Sequence, residues 1–408
     1  MKILIANWVY NWGSTGFIVR DLKKEFEQQG HTVKIAAGLS YGSDEVMVFC
    51  TPSEHNFFWR LHRFGLSTFR GSTKAAKRLI HYIKQDPPDI INLHLLHCNF
   101  INLYYLLRWL GENNIKTIIT NHAELYFTGS CGYAYDCMNW KTNQCRNCPN
   151  KFYATGGAYV FGNTHHNWRL MHKAFSYFKP ENLAFTAVSP WTKERFYQSP
   201  ITKGFDCSLT LNGLDVNTFY KQEDVTPVRE RLGGKPYIVW VTANFNSLNR
   251  EDVKGGYYMV ELANLIPEQQ FVVVSTSSSN TDNLPPNLFM WGKAKNQKEL
   301  AQLYSDAILT VLVSRKETFS MVTAESLCCG TPVVGFKAGG PETIAIPEYS
   351  RFVEQADTPA LVKALKEMLS INFNHQEISE KAREKYCANA MAMQYIDAYE
   401  KLLKNYVE

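Results

Sequence analysis

Long apolar runs are missing from this chain. The longest are strand-length, so nothing offers the roughly 20 consecutive apolar residues of a membrane-spanning helix. The N-terminus, MKILIANW, has no basic region followed by an apolar stretch and a cleavage site, and reads as a first β-strand. A strong charge of one sign is lacking too. With 43 Lys and Arg against 38 Asp and Glu, the net charge of +5 is too mild and too evenly spread to mark a nucleic-acid binder. There is no short-period repeat, no low-complexity tract, and no Asp-x-Asp triplet at a strand end. These absences predict a soluble, cytoplasmic protein. What is present fits that class. The 408 residues are 45% apolar and 20% charged, enough for two or three globular domains. The aromatic share is high, and extra Trp and Tyr often line sites that stack sugars or bases.

What recurs is strand, turn, helix. KILIANW (2–8) reads as a buried strand, followed by the glycine turn NWGSTG (11–16) and a helical pattern over 18–30 that ends at Gly30. Further strands are expected at 31–38, 89–96, 116–122 and 183–189, with helical patterns between them. The polar stretch 221–236, with Pro227, Gly233, Gly234 and Pro236, reads as a linker. The alternation resumes at 237–244, 270–276, 307–314 and 331–336. This predicts two α/β domains with parallel sheets, 1–220 and 237–385, and an amphipathic helix over 386–408 that braces them by packing across both. Ligands of such sheets sit beyond the carboxyl ends of the strands, here in the cleft between domains.

The most informative stretch is SRKETFSMVTAESLCCGTPVVGFKAGGPE (314–342). A strand ends at Ser314, Glu317 follows in the loop, Thr318 or Ser320 can cap a helix beginning near Met321, and Glu325 falls in its early turns. Such a helix start suits a phosphate, and a carboxylate beside it suits a vicinal diol such as ribose. Read on spacing alone, the two glutamates are equally well explained as exposed residues favoured by the helix dipole.

Glu317 and Glu325, seven residues between them, followed by CCGTPVVGFKAGGPE, resemble the signature of retaining GT-B glycosyltransferases of family 4. GSTG (13–16), NGLDVNTF (212–219) and DVKGG (252–256) are similar, in order, to further elements of that family. The region from Asn121 to Pro149 also resembles bacterial members that build capsular, colanic-acid-like or O-antigen polysaccharides. The resemblance implies an α/β GT-B architecture of two Rossmann-like domains facing across a cleft. It implies that Glu325 holds the donor ribose and Glu317 the hydroxyls of the transferred sugar. Backbone N–H groups of Phe319, Ser320 and Met321 would approach the donor phosphates or sugar, and Lys254 would neutralise the diphosphate leaving group. Gly16 would let the first-domain backbone approach that diphosphate, and His122, ending the strand KTIITNH, would assist the reacting sugar by hydrogen bonding. Two positions depart from the family. Asn244 stands at or near the place of the usual arginine, which leaves Arg250 or Lys293 to compensate. Ser320 replaces a common glycine, a change expected to matter little because the helix start needs a cap more than a positive φ. His94 and His97 are read as structural, and His165 and His166 carry no assignment.

Cys131, Cys137, Cys145 and Cys148 fall in a Gly-, Tyr- and Asn-rich segment without an apolar pattern. Cys145 and Cys148 form a C-x-x-C pair, so a closed structural zinc site that would fix the loop is one reading; a redox-labile loop or unpaired thiols are the others. The other six cysteines read as small hydrophobes. Basic residues among aromatics over 60–84 read either as a face for the inner leaflet of the membrane or as a solvated helix beside a core stripe. The expected function is retaining transfer of a sugar from a UDP- or GDP-sugar to a lipid-linked or oligosaccharide acceptor, with no cofactor required for catalysis. A nucleotide-sugar epimerase and a non-catalytic zinc-bearing adaptor are the alternatives; turnover of donor alone to an epimer, or no turnover, distinguishes them.

Overall fold

The computed structural model describes residues 1–40, 46–65, 69–96, 100–134, 136–154 and 162–404. The chain divides into two compact units, Met1–Leu211 with the residues from Met391 onward, and Asn212–Ala390. Each is built around a wholly parallel sheet.

The first unit contains β1 (Lys2–Tyr10), β2 (Thr32–Ser40), β3 (Val46–Val48), β4 (Ile90–Leu93), β5 (Thr117–Asn121), β6 (Leu183–Ala187) and β7 (Cys207–Leu209), in the order β3-β2-β1-β4-β5-β6-β7. Strands β4 and β5 are buried along their whole length, because helices cover both faces of the sheet. On one face, Leu4, Ile91, Leu93 and Ile119 pack with Leu79 and Leu107 from the helices Thr73–Gln85 and Leu103–Glu112. On the other, Ile3, Ile5 and Ile118 meet Ile18, Leu22 and Phe26 of the helix Gly13–Gln28, and Met391, Tyr395 and Tyr399 of the helix Ala388–Lys404. From Met391 on, that last helix is a core element of the first unit, whereas the sequence pattern set 386–408 apart as a brace. Its polar groups are matched as well as its apolar ones. The Asn92 amide donates to the Tyr399 hydroxyl at 2.7 Å, the Tyr395 hydroxyl donates to Thr120 at 3.2 Å, and Gln394 accepts the Leu211 N–H at 2.7 Å.

The second unit contains β8 (Tyr237–Asn246), β9 (Gln270–Ser279), β10 (Leu288–Gly292), β11 (Leu309–Leu312), β12 (Val333–Phe336) and β13 (Ser350–Val353), in the order β10-β9-β8-β11-β12-β13. The stretch read as a linker is part of this unit. Val225, Val228 and Leu232 recur at helical spacing, and their burial docks the short helix Thr226–Arg231. Gln222 N–H donates to the Ser305 hydroxyl at 2.9 Å, the Gln302 amide donates to the Asp224 carbonyl at 2.9 Å, and Arg229 pairs with Asp306.

In each sheet the strand order reverses between two neighbours, β1 and β4 in the first and β8 and β11 in the second. Helices leave opposite faces at such a point and open a crevice at the carboxyl ends of the strands.

Replacing Tyr399 by Phe leaves the fully buried Asn92 amide without this acceptor. The expected loss is about 1–3 kcal/mol in urea unfolding, and an unchanged midpoint would mean that this bond does not hold the last helix.

Candidate active site

Three loops leave the carboxyl edge of the second sheet beside its point of reversal. The first carries Lys254. The Asp252 carboxylate accepts the N–H groups of Lys254 and Gly255 at 3.0 and 3.2 Å, and Gly255, at φ +81°, leads into the helix Gly256–Leu265. A side chain at Gly255 would collide with the Val313 carbonyl, so only glycine lets this turn lie against the end of β11. The second loop carries Glu317, and the third runs through Ala338–Gly340. Backbone hydrogen bonds join all three: Arg315 N–H to Val253 C=O at 2.8 Å, Glu317 N–H to Ala338 C=O at 3.0 Å, and Gly340 N–H to Glu317 C=O at 2.8 Å. The Glu342 carboxylate holds the third loop from below, accepting Ala338 N–H at 3.0 Å and Gly339 N–H at 2.8 Å.

Within this frame the Lys254 ammonium donates to the Glu317 carboxylate at 2.7 Å. Both side chains are partly accessible. The two residues expected to serve different parts of a donor therefore stand as one ion pair. Glu325 lies one helix turn further on, in Met321–Cys328, and its Oε2 accepts the Tyr304 hydroxyl at 3.1 Å. Burial pushes the Glu325 carboxyl up to about 7, against the hydrogen bond from Tyr304. Phe319 is buried edge-on to Tyr386 at 6.4 Å, so its side chain anchors the loop, while Met321 opens the helix. Tyr304, Asp252, Arg315, Gly340 and Glu342 escape sequence reasoning. The repeated glycines in DVKGG and AGGPE mark the close approaches, but nothing local marks Tyr304, which comes from the helix Gln297–Asp306.

At the reversal of the first sheet stand Gly16, His94 and His122. Gly16 lies inside the first turn of the helix Gly13–Gln28 rather than in the preceding turn. A Cβ there would come within 3.3 Å of Val9 and 3.4 Å of the Asn11 backbone, so its missing side chain serves helix-on-strand packing. His122 is the residue after β5 and is half-buried, and its Nε2 lies 2.8 Å from Nδ1 of His94, the residue after β4. Burial pushes His122 down to about 3 and His94 well below the usual histidine range, so both rings are neutral at pH 7.

Two family models match the chain: Glycosyltransferase Family 4 over residues 16–217, and Glycosyl transferases group 1 over 275–385. The chain belongs to the GT-B glycosyltransferases of family 4. It is 24% identical over 414 residues to N-acetyl-alpha-D-glucosaminyl L-malate synthase of Bacillus anthracis, covering 98% of this chain and 96% of that protein. Among solved structures it is similar in fold to sucrose-phosphate synthase of Thermosynechococcus elongatus, at a TM-score of 0.68 and 18% identity, covering 99% of both chains. The Anabaena protein HepE, solved in complex with UDP-glucose, follows at 0.65 and 14%, covering 98% of this chain and all of that one. WaaG, a glycosyltransferase involved in lipopolysaccharide biosynthesis, follows at 0.63 and 12%, covering 97% and 99%.

In this family 4 glycosyltransferase the residue expected at the place of the usual arginine, and one of the cations expected to compensate for it, are engaged by neighbouring side chains. Asn244 lies within β8, where its side-chain oxygen accepts the Ser277 hydroxyl at 3.0 Å. Arg250 donates to the Tyr258 hydroxyl at 3.3 Å and lies over the Tyr257 and Tyr258 rings, and Lys293 is exposed. Arg315 is the cation whose backbone is tied to the Lys254 turn, and its guanidinium pairs with Glu251.

The cysteine segment corrects the premise that it cannot hold itself by burial. Cys131, Cys145 and Trp140 belong to the core of the first unit, and Glu124 pairs with Arg195, whose guanidinium lies over the Trp140 and Trp191 rings. Burial pushes the Cys145 thiol up to about 12. Among the described residues, no group of three or more His, Cys, Asp or Glu is placed to hold a metal ion, while Cys145, Cys148 and Cys137 all add to the upward shift that burial gives the Cys131 thiol, so the four thiols of the expected zinc site are near neighbours. Of the remaining histidines, His165 contacts the Gln144 carbonyl at 2.9 Å and His166 contacts Arg70; His97 and Cys98 lie outside the described residues.

Ser320 corrects the expectation that its position needs a cap more than a positive φ. It sits at φ +79° and also caps the helix, accepting Thr323 N–H at 3.3 Å. Both demands act on one residue. Ser320→Gly removes strain of about 1–3 kcal/mol and gives up only a few tenths in capping. Ser320→Ala keeps the strain and loses about 1 kcal/mol of cap. Thermal unfolding should rank Gly above Ser and Ser above Ala, and Ser320→Gly falling below the parent would refute the strain.

Proposed function

We propose that this glycosyltransferase moves a sugar, with retention at the anomeric carbon, from a UDP-sugar to a lipid-linked or oligosaccharide acceptor in polysaccharide assembly. The observation that carries the reading is the Lys254–Glu317 pair and Glu325 gathered at the reversal point of the second sheet. UDP is favoured over GDP because HepE was solved with UDP-glucose. Lys254 meets the diphosphate, whose negative charge grows as the glycosidic bond breaks, so it binds the transition state more tightly than the ground state. Glu317, relieved of Lys254, accepts hydroxyl protons of the transferred sugar. Glu325 accepts the two ribose hydroxyls. The acceptor oxygen attacks from the face the leaving group departs, and the released phosphate oxygen takes its proton. The charge that a metal–carboxylate pair handles in other folds falls here to Lys254 and the N-terminus of the helix Met321–Cys328.

The ribose role has a pH signature. A diol donates two charge-assisted hydrogen bonds to a carboxylate but meets a carboxylic acid with one weaker acceptor, so donor binding favours the ionised form of Glu325 and lowers its pKa. Affinity is therefore full above about 7 and declines as pH falls below it. Calorimetric titration with UDP-glucose and UDP-N-acetylglucosamine should show weaker binding at pH 6 than at pH 8. Glu325→Gln should abolish that dependence and weaken binding by about 1.5–3 kcal/mol. Lys254→Ala should lower turnover by about 10²–10³. If no UDP- or GDP-sugar binds, or if binding is flat across this range, the assignment fails.

Contact with an anionic membrane surface is proposed for the first unit. In the helix Thr73–Gln85 the apolar stripe of Ala75, Ala76, Leu79, Ile80 and Ile83 is buried, so that half of 60–84 is core; residues 66–68 lie outside the described part. The helix Pro52–Arg63 supports the contact instead, with Phe57 58% and Trp59 48% exposed, Phe64 54% exposed just beyond, and Arg60 and Arg63 among them. The protein should sediment with phosphatidylglycerol vesicles at low salt, and Phe57→Ser with Trp59→Ser should release it. Equal binding to neutral vesicles, or none to anionic ones, would refute this.

A further inference from the structure

His94 reads from sequence as a buried strand histidine, and it is buried completely. Its backbone is fully engaged: its N–H donates to the Ala6 carbonyl at 2.8 Å, and its carbonyl accepts the Tyr126 hydroxyl at 2.9 Å. Its ring meets that of His122 with centroids 5.0 Å apart and planes 29° apart, and lies 5.8 Å from the Tyr395 ring. The two histidines meet because β4 and β5 are neighbours and both stop one residue short of them.

The contact between His94 Nδ1 and His122 Nε2, at 2.8 Å, is a hydrogen bond in which one nitrogen donates and the other accepts. If His122 donated, the single proton of neutral His94 would sit on its Nε2. That nitrogen is buried and has no hydrogen-bond partner among the described residues, so an N–H there would be a buried donor without an acceptor. Such orphaned donors are rare and costly, whereas a buried lone pair is tolerated more often. The proton of His94 therefore sits on Nδ1 and points to His122 Nε2. His122 then accepts at Nε2 and, being neutral, carries its own proton on Nδ1.

We infer that His94 is a positioning residue that fixes His122 as its Nδ1–H tautomer, so that any hydrogen bond His122 gives to the reacting sugar is a donated one. The second half rests on the placement of His122 beside that sugar; the tautomer does not. A histidine held this way cannot use Nε2 as a general base. It can orient a hydroxyl or steady a developing negative charge, and its ring cannot turn without breaking the bond to His94.

The test uses full-length protein labelled with ¹⁵N-histidine, with imidazole tautomers read by long-range ¹H–¹⁵N correlation and the signals assigned from His122→Gln and His94→Asn. His122 in the unsubstituted protein should show a protonated Nδ1 and a bare Nε2. His94→Asn places an amide N–H near the lost Nδ1 and should keep that tautomer. His94→Leu should release it into a mixture. Turnover of UDP-glucose or UDP-N-acetylglucosamine, whichever is the better donor, should fall about fivefold to tenfold in His94→Leu with KM for donor little changed, and recover in His94→Asn. An Nε2–H tautomer in the unsubstituted protein overturns the inference without any variant having to fold. So does an unaltered His122 tautomer in folded His94→Leu. If instead the tautomer is as stated but His122→Gln turns over at the parental rate, the tautomer stands and the role given to His122 in transfer falls.

Discussion

The backbone at the carboxyl edge of a parallel sheet must find hydrogen bonds after the strands have ended, and the second unit meets that demand by continuing its ladder into the loops. β8, β11 and β12 are neighbours, and so are the loops that leave them. Val253 bonds Arg315, and Glu317 bonds both Ala338 and Gly340. Lys254 and Glu317 can touch because their loops keep the register of the sheet. Gly255 and Gly340 carry no side chain because backbones meet there at distances that leave no room for one. Remove the requirement that these groups be satisfied, and nothing would hold an ammonium against a carboxylate at the mouth of this crevice.

Much of this was legible in the sequence, and for definite reasons. The buried strands of a parallel sheet are continuous apolar runs, so β1, β4, β5, β8, β9, β11 and β12 stand out without any other information. Glu317, Glu325 and Lys254 are singled out by resemblance to the short motifs of a family, and the structure joins Lys254 to Glu317 and sets Glu325 in the helix that follows. What stays hidden depends on distance along the chain. Tyr304 meets Glu325 from a preceding helix, β3 and β7 are three residues each, and the stretch 221–236 looks like a linker until Val225, Val228 and Leu232 find helices to pack on. Ser320 shows a further limit. Composition shows that a cap is present, but only the backbone shows that the same residue adopts a conformation usually left to glycine.

The cysteine segment and the histidine pair teach opposite lessons about burial. The segment has no periodicity and looks as if it needs a staple. Trp140, Cys145 and the Glu124–Arg195 pair nevertheless tie it to the core of the first unit, a solution assembled from residues as far apart as 124 and 195. His94 looks inert because it belongs to a buried strand end. Its burial leaves its ring one polar partner among the described residues, and a side chain with a single choice dictates the state of that partner.

The position of the last helix has a consequence for how the protein is made. Met391, Tyr395 and Tyr399 share with the helix Gly13–Gln28 the face that carries Ile3, Ile5 and Ile118, so part of that face stays uncovered until the residues from Met391 to Tyr399 have left the ribosome. The second unit, Asn212–Ala390, precedes Met391 in the chain and can close while the sheet begun by β1 still waits for the rest of its cover. Order of completion is thus reversed from order of synthesis. During translation that part of the face waits for the time needed to add nearly the whole second unit, and at about 5–20 residues per second that is on the order of ten seconds or more. A chaperone that shields apolar strands would find its substrate in that interval.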